Sequence, residues 1–88
     1  MKLINLTNPA VDLTQLAQLC EQADTVLLRQ DAVYLAHRSD IIWPCNNIIA
    51  LGTDVRIRNV SPIAAIGVIS AAEWVELTVT ATQVLLWR

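Results

Sequence analysis

Apolar residues along this chain occur in short runs, separated by stretches with helical spacing. Five runs predict β-strands, at Lys2–Leu6, Thr25–Leu28, Asn47–Leu51, residues 63–69 and Gln83–Trp87. The second run has no polar residue after Thr25. Strands of that kind are typical of the interior of a parallel sheet that is covered on both faces.

The segment after the first strand has the spacing of an amphipathic helix. Its apolar positions recur every three or four residues, at Leu13, Leu16, Ala17 and Cys20. The pair Asn8-Pro9 precedes them and predicts the helix start, because asparagine is a good N-cap and proline suits the first helical position.

Two shorter helices and one longer helix are predicted further along. Asp31 is a candidate cap for a short helix over residues 31–38, and Thr53 or Asp54 for one or two turns after the third strand. The longest helix follows Ser70, which forms a capping-box pattern with Glu73. Its predicted buried face carries Trp74, Leu77, Thr78 and Ala81.

This order of elements predicts the fold class. Strands alternate with helices throughout, so we expect a small three-layer α/β/α domain with a mostly parallel central sheet of about five strands. The length suits one domain that spans residues 1–88.

Composition adds an expectation about partners. Hydrophobic residues make up 55% of the chain and charged residues only 16%, where about 25% charged is usual. A small domain cannot bury so much apolar surface alone, so we expect part of it to contact another subunit. The longest uncharged run, residues 59–72, is too short to span a bilayer. The first residues do not resemble a signal peptide, which favours a cytoplasmic location.

Charge and residue types argue against several kinds of site. The net charge is −2 and the basic residues are scattered apart from Arg56 and Arg58, so we expect no direct nucleic-acid binding. Cys20, Cys45 and His37 do not have the spacing of zinc ligands. No catalytic triad, glycine-rich phosphate loop or carboxylate pair is present in the sequence, and we expect no metal or cofactor.

The two cysteines are the candidate nucleophiles. Cys45 lies in the stretch IIWPCNN, where Pro44 and the asparagines predict an accessible loop. A reactive cysteine also needs a depressed thiol pKa, and no cation is close to Cys45 in sequence. Cys20 lies on the apolar stripe of the first helix, where cysteine is usually a small inert hydrophobe. Packing is the favoured interpretation for both, and a reactive thiol is the alternative.

Other polar and aromatic residues each have two readings. His37 is a solvated end group of a short helix, or a base. Asp31 is a cap, or part of a ligand site at a strand end. Arg56 and Arg58 are surface charges, or contacts to a nucleic acid. Trp74 and Trp87 are core or subunit-interface residues, or mark a binding pocket.

Three segments resemble the TusB/DsrH family of sulfur-relay subunits, within the DsrE-like group. They are VLLRQDAVY (residues 26–34), IIALGTDVRIRNV (residues 48–60) and WVELTVTATQVLLWR (residues 74–88). Ala32 departs from the family pattern, which has glycine there. Ser70 and Ala71 replace a frequent Asp-Tyr pair. A cysteine that some Dsr-branch members carry corresponds to Leu16 here, so it does not transfer to Cys20.

The resemblance implies a non-catalytic subunit of a sulfur-relay heterohexamer. Its partners would be TusC- and TusD-like homologous subunits, with an indirect link to TusA- and TusE-like sulfur carriers. The complex would serve 2-thiolation of the tRNA wobble uridine, with the catalytic cysteine on the TusD-like subunit. Three alternatives remain: a sulfurtransferase that carries persulfide on Cys45 or Cys20, a Dsr-type role in sulfur oxidation, and a stand-alone α/β binding module.

Overall fold

The protein is described by a computed structural model over residues 1–87. The strands are β1 (Lys2–Leu6), β2 (Thr25–Leu28), β3 (Asn47–Leu51), β4 (Gly67–Ile69) and β5 (Gln83–Trp87). They form one sheet in the order β4-β3-β2-β1-β5, and every neighbouring pair is parallel. The helices are α1 (Leu13–Leu19), a 3₁₀ helix (Gln30–His37), α2 (Gly52–Ile57) and α3 (Ala71–Thr80).

The sheet separates two hydrophobic cores, which gives the predicted three layers. Register partners of a parallel sheet point to the same face, and alternate residues point to opposite faces. One face, the first-face core, includes the partners Ile4, Val26 and Ile48, and is covered by α1, the 3₁₀ helix and α2. The opposite face, the second-face core, comprises the buried residues Leu3, Leu27, Ile49 and Leu51. Trp74, Leu77 and Ala81 pack on it from α3 and its C-cap.

The predicted fold class is confirmed, and four strands have the predicted bounds. β2 is buried at every position and lies in the middle of the sheet, as its lack of polar residues predicts. The fourth strand is shorter than expected, because residues 63–66 form a turn. In that turn the Ile66 amide donates to the Ile63 carbonyl at 3.0 Å, and the Ile63 amide donates to the Ala36 carbonyl at 2.9 Å.

The predicted start of the first helix is wrong. Asn8 Oδ1 accepts from the Ala10 amide at 2.9 Å and closes a turn instead. The helix begins four residues later, at Leu13, where Asp12 accepts from the Thr14 amide at 2.9 Å. Ala17 is exposed, and the buried side of α1 is completed by Leu19.

The capping predictions failed for the two short helices and held for α3. Asp31 lies in the first turn of the 3₁₀ helix, and no side chain caps α2. Asp54 instead accepts from the Gln30 amide at 2.9 Å and so joins α2 to the 3₁₀ helix. At α3, the Glu73 amide donates to Ser70 Oγ and the Ser70 amide donates to Glu73 Oε1, both at 3.1 Å. Thr78, predicted to be buried, is exposed.

Within residues 1–87, no helix has both the length and the apolar character needed to cross a membrane.

Candidate functional site

The structure brings the two cysteines together near the amino ends of the strands. Cys20 is the C-cap of α1, and Cys45 lies two residues before β3. Cys20 packs against the first-face core, to which Cys45 belongs, and each thiol influences the pKa of the other. The Asn46 amide also donates to the Gln22 carbonyl at 3.5 Å, so the two chain segments meet through the backbone as well.

The two thiols differ in accessibility. Cys45 lies in a loop, as predicted, but it is buried, with 6% of its surface exposed. The loop folds onto the first-face core, where Cys45 packs as a small hydrophobe, as the favoured interpretation of this residue predicted. Cys20 is half-buried. Cys20 is therefore the more exposed of the two residues.

The surroundings keep both thiols protonated. Burial, followed by the neighbouring Cys45 and Asp24, raises the pKa of Cys20 to about 11, although Lys2 opposes the shift. Burial also raises the pKa of Cys45, whose Sγ donates a weak hydrogen bond to the Asn47 carbonyl at 3.9 Å. Since the thiolate is the nucleophile, neither residue is activated for sulfur transfer at neutral pH.

A second polar cluster lies at the carboxyl ends of β2 and β3. Arg58 Nε donates to Asp31 at 2.9 Å, and Arg58 Nη1 donates to Asp54 at 3.4 Å. His37 is exposed at the end of the 3₁₀ helix and lines a shallow cavity of about 270 Å³ with Tyr34 and Arg58. The guanidinium of Arg58 is already paired with two carboxylates, so this cavity does not present a free cation to an anionic ligand. Arg56 is exposed.

Arg29 is a feature that the sequence analysis missed. It follows β2 directly, and its guanidinium stacks on the ring of Trp74 from α3, with Cζ 4.1 Å from the ring centroid. Its Nε is buried without a hydrogen-bond partner, and no carboxylate among residues 1–87 forms an ion pair with it. The position after an apolar strand was visible in sequence, but the contact with Trp74 arises only in the folded chain.

The two tryptophans predicted as interface residues are both half-buried. Trp74 packs on the second-face core, and the Arg29 guanidinium stacks on its ring. Trp87 ends β5 and packs against the first-face core. Each therefore contributes to the core of the chain, and contact with a partner stays a prediction.

Apolar residues are exposed on the side of the sheet that α3 covers. Trp74 and Leu77 of α3 face the sheet, whereas Val75 and Val79 are 61% and 81% exposed on the outward side of the helix. On β5, Val84 and Leu86 are register partners of Leu3 and Asn5 and are 44% and 51% exposed. We call Val75, Val79, Val84 and Leu86 the apolar surface.

Among residues 1–87, no group of three or more histidine, cysteine or acidic side chains could hold a metal ion. The fold is that of a small three-layer α/β/α domain, in which the pKa of both thiols is raised. A family model described as DsrH like protein matches residues 8–84. The chain therefore belongs to the DsrH-like family, whose members are sulfur-relay subunits. A comparison with curated proteins found no match.

Proposed function

We propose that this chain is a non-catalytic subunit that helps to assemble a heteromeric sulfur-relay complex. Its partners are TusC- and TusD-like homologous subunits, and the complex serves 2-thiolation of the tRNA wobble uridine. The relay cysteine is then on the TusD-like subunit. The Dsr-type role in sulfur oxidation is the alternative for the same kind of complex.

The apolar surface is the main observation that supports this proposal. A helix that packs on one sheet normally has charged or polar residues on its outward side. In α3 that side carries two valines, of which Val79 is 81% exposed. Valine is also a poor helix former, so its choice at an exposed helical position gives the isolated chain no advantage. Contact with another subunit explains it.

Arg29 also supports a contact with another subunit. It is held in place by Trp74, and no carboxylate among residues 1–87 pairs with it. Arginine is well suited to pair with a carboxylate of another protein, because its planar guanidinium can donate two parallel hydrogen bonds. A partner that covers the apolar surface and brings an acidic side chain to Arg29 satisfies both features.

The state of the thiols favours assembly over catalysis. Both pKa values are raised, mainly by burial, so the thiolate fraction at neutral pH is small. A sulfur carrier must also present its thiol to successive partners, and Cys45 is buried in the first-face core.

Co-purification tests the assembly role. The chain is co-expressed with the TusC- and TusD-like proteins of the same genome, and the complex is measured by size-exclusion chromatography with light scattering. We expect the double variant Val75→Glu/Val79→Glu to lose the complex, because two carboxylates at a buried interface must be desolvated without partners. The matched control is Ile57→Glu, which changes another exposed apolar residue, 73% accessible, on α2.

The control should assemble like the wild type. If the double variant assembles equally well while folded, the apolar surface is not the interface. If the wild-type chain does not bind either partner protein, the proposed assembly role is wrong.

The non-catalytic part of the proposal is tested in cells. We expect wild-type levels of 2-thiouridine in strains with Cys45→Ser, Cys20→Ser or both, because serine keeps the size of cysteine but cannot hold a persulfide. Complex formation is measured in the same strains. Loss of thiolation with the complex intact would instead identify the chain as a sulfurtransferase.

A further inference from the structure

The second face of the sheet is covered by one helix, and this leaves an edge of that face open. Within residues 1–87, α1, the 3₁₀ helix and α2 pack on the first-face core, and only α3 packs on the second-face core. Five strands spaced about 4.8 Å apart make a sheet about 19 Å wide, whereas a helix with its side chains is about 10 Å wide. The edge strand β5 is therefore not covered, and its residues Val84 and Leu86 are 44% and 51% exposed.

The outward side of α3 also lacks a cover. Val75 and Val79 are one turn apart, and Glu76 lies beside Val79 because residues three apart are neighbours on a helix. All three side chains are exposed, and Glu76 forms no ion pair within residues 1–87. The helix thus presents an apolar stripe with an acidic residue at its side.

The open edge of the sheet has groups that complement this stripe. Leu86 is apolar, and it is in register with Leu27 through β1. Arg29 lies two residues beyond Leu27, so it belongs to the same face of the sheet. It stacks on the Trp74 ring and has no ion-pair partner within residues 1–87. The chain therefore carries both halves of one interface, because valines match an apolar strand and a glutamate matches an arginine.

We propose that a second copy of this chain covers the open edge, in a two-fold dimer whose sheets face each other across one layer that contains both α3 helices. Each α3 packs on its own sheet through Trp74 and Leu77, and on the other sheet through Val75 and Val79. The carboxylate of Glu76 in each copy accepts hydrogen bonds from the Arg29 guanidinium of the other copy.

The position of α3 determines the direction of the two-fold axis. An axis parallel to the strands places the α3 of the second copy beside the first α3 and over β5, where the sheet is open. An axis in the same plane but across the strands would place both helices over the same strands, so they would collide. The axis therefore runs parallel to the strands.

This axis also brings the charged residues together. α3 begins near the carboxyl ends of the strands, because it leads from the end of β4 back to the start of the parallel strand β5. An axis parallel to the strands keeps the strand direction, so both copies of α3 begin at the same end of the dimer. Glu76 lies in the first half of α3, and Arg29 directly follows the carboxyl end of β2. Opposite charges from the two copies thus meet at one end of the interface.

Edge-to-edge pairing of two β5 strands is another way in which a second copy can bind, since an edge strand has unpaired backbone groups. That arrangement would leave Val75 and Val79 exposed and would not use Arg29 or Glu76. The facing arrangement covers all four residues of the apolar surface and also pairs both charges. The stacking of Arg29 on Trp74 favours it further, because a guanidinium that is already held in place loses little freedom when it binds a carboxylate.

The dimer concerns the chain on its own, and it does not depend on the proposed role in a sulfur-relay complex. In such a complex, a homologous subunit would take the place of the second copy.

Charge reversal tests the pairing of Arg29 with Glu76. The variants Arg29→Glu and Glu76→Arg each give a homodimer with two like-charged pairs, so the dissociation constant should rise about tenfold or more. An equimolar mixture of the two variants can form a heterodimer in which both pairs are again opposite in charge. The mixture should therefore dimerise about as tightly as the wild type. Analytical ultracentrifugation at several micromolar concentrations measures all of these constants.

The matched control is Arg56→Glu, which makes the same change in net charge at an exposed position on α2, on the opposite face of the sheet. It should dimerise like the wild type. Circular dichroism verifies the fold of each variant. Because Arg29→Glu loses the contact with Trp74 and could unfold the chain, the exposed variant Glu76→Arg is sufficient to test the pairing by itself.

Three results would overturn the proposal. They are a wild-type chain that stays monomeric throughout the micromolar range, a folded Glu76→Arg variant that dimerises as tightly as the wild type, and two folded variants that do not dimerise when mixed. Since these measurements use this chain alone, none of them bears on the binding of relay subunits, which is measured separately by co-purification.

Discussion

Single residues near the amino ends of the strands hold the chain segments together, and Asp24 is the main example. Its side chain is buried with the residue 3% exposed, and it accepts from the backbone amides of Lys2 and Glu21, each at 2.9 Å. The Lys2 ammonium lies 3.3 Å from the same carboxylate. Burial alone raises the pKa of Asp24, but the two amides and Lys2 outweigh it, so the pKa is lowered from 3.8. A buried carboxylate is tolerated here because its oxygens have hydrogen-bond donors.

We predict that Asp24→Asn lowers the free energy of unfolding by about 2 kcal/mol at pH 7, since hydrogen bonds to a charged group are lost. A lowered pKa means that the stabilisation is present above 3.8 and is lost as pH falls through the folded-state pKa. Urea unfolding at several pH values measures this. The difference between wild type and variant should therefore shrink below pH 3.8.

The control for this change is Asp40→Asn, which removes the carboxylate from the exposed pair of Arg38 and Asp40. Exposed ion pairs contribute little to stability, so the unfolding midpoint should stay unchanged. A constant difference between wild type and Asp24→Asn at all pH values would contradict the role given to the carboxylate charge.

The different solvent exposure of the two thiols leads to a separate prediction at the residue scale. Iodoacetamide should label Cys20 before Cys45, because only Cys20 is open to solvent, and labelling of Cys20 should accelerate as pH rises toward about 11. Mass spectrometry of peptides after short labelling times gives both rates. After unfolding in urea, the two cysteines should be labelled at equal rates. Equal rates in the folded chain would show that Cys45 is not sheltered.

At the scale of elements, the start of α3 is determined by a short sequence pattern. The capping box at Ser70 and Glu73 satisfies two backbone amides at the helix start, and both bonds are present in the structure. We predict that Ser70→Ala costs about 1 kcal/mol through loss of the cap. Denaturant unfolding of both proteins measures the difference.

Thr80→Ala is the matched control on the same helix. The Thr80 hydroxyl only donates to the Glu76 carbonyl at 2.7 Å, and the residue is exposed, so its loss should not destabilise α3. If both variants unfold at the wild-type midpoint, the box does not stabilise the helix start.

Local patterns predicted the elements whose identity depends on a few adjacent residues. β2 and β3 have the predicted bounds because continuous apolar runs of that length suit buried parallel strands. The start of α1 was missed because the same asparagine oxygen can cap a helix or close a turn. Asn8 closes a turn, and Asp12 is the residue that caps α1.

The candidate site was less predictable, because it depends on residues far apart in the chain. Nothing near Cys45 in sequence indicates that Cys20 is its neighbour, and the contact exists because α1 and the loop before β3 lie on the same face of the sheet. Arg29 on Trp74 is a similar case, since Arg29 follows β2 and Trp74 lies far along the chain in α3. Such contacts follow from the order of strands, which local periodicity does not determine.

At the scale of the whole molecule, the chain has more apolar surface than its own cores can cover. The eight large exposed apolar residues within residues 1–87 are distributed over several elements, and four of them make up the apolar surface on α3 and β5. We predict that the isolated chain self-associates at micromolar concentration, because nothing else in solution can cover that surface.

Analytical ultracentrifugation of the chain at several concentrations measures this. The double variant Val75→Glu/Val79→Glu should shift the distribution toward monomer by about tenfold or more in dissociation constant, which corresponds to about 1.4 kcal/mol. Ile57→Glu again serves as the control on another element. A wild-type chain that is monomeric throughout the range would contradict the prediction.

The position of β1 inside the sheet has a consequence for how the protein folds during synthesis. β1 leaves the ribosome first, yet one of its two neighbours is β5, with Lys2 opposite Gln83 and Leu6 opposite Trp87. Pairings between distant segments form slowly, because the intervening chain must first be ordered. Until β5 is made, one edge of β1 has unpaired backbone groups beside strongly apolar side chains. Nascent chains that stall before residue 83 should therefore be preferred clients of chaperones and prone to aggregation.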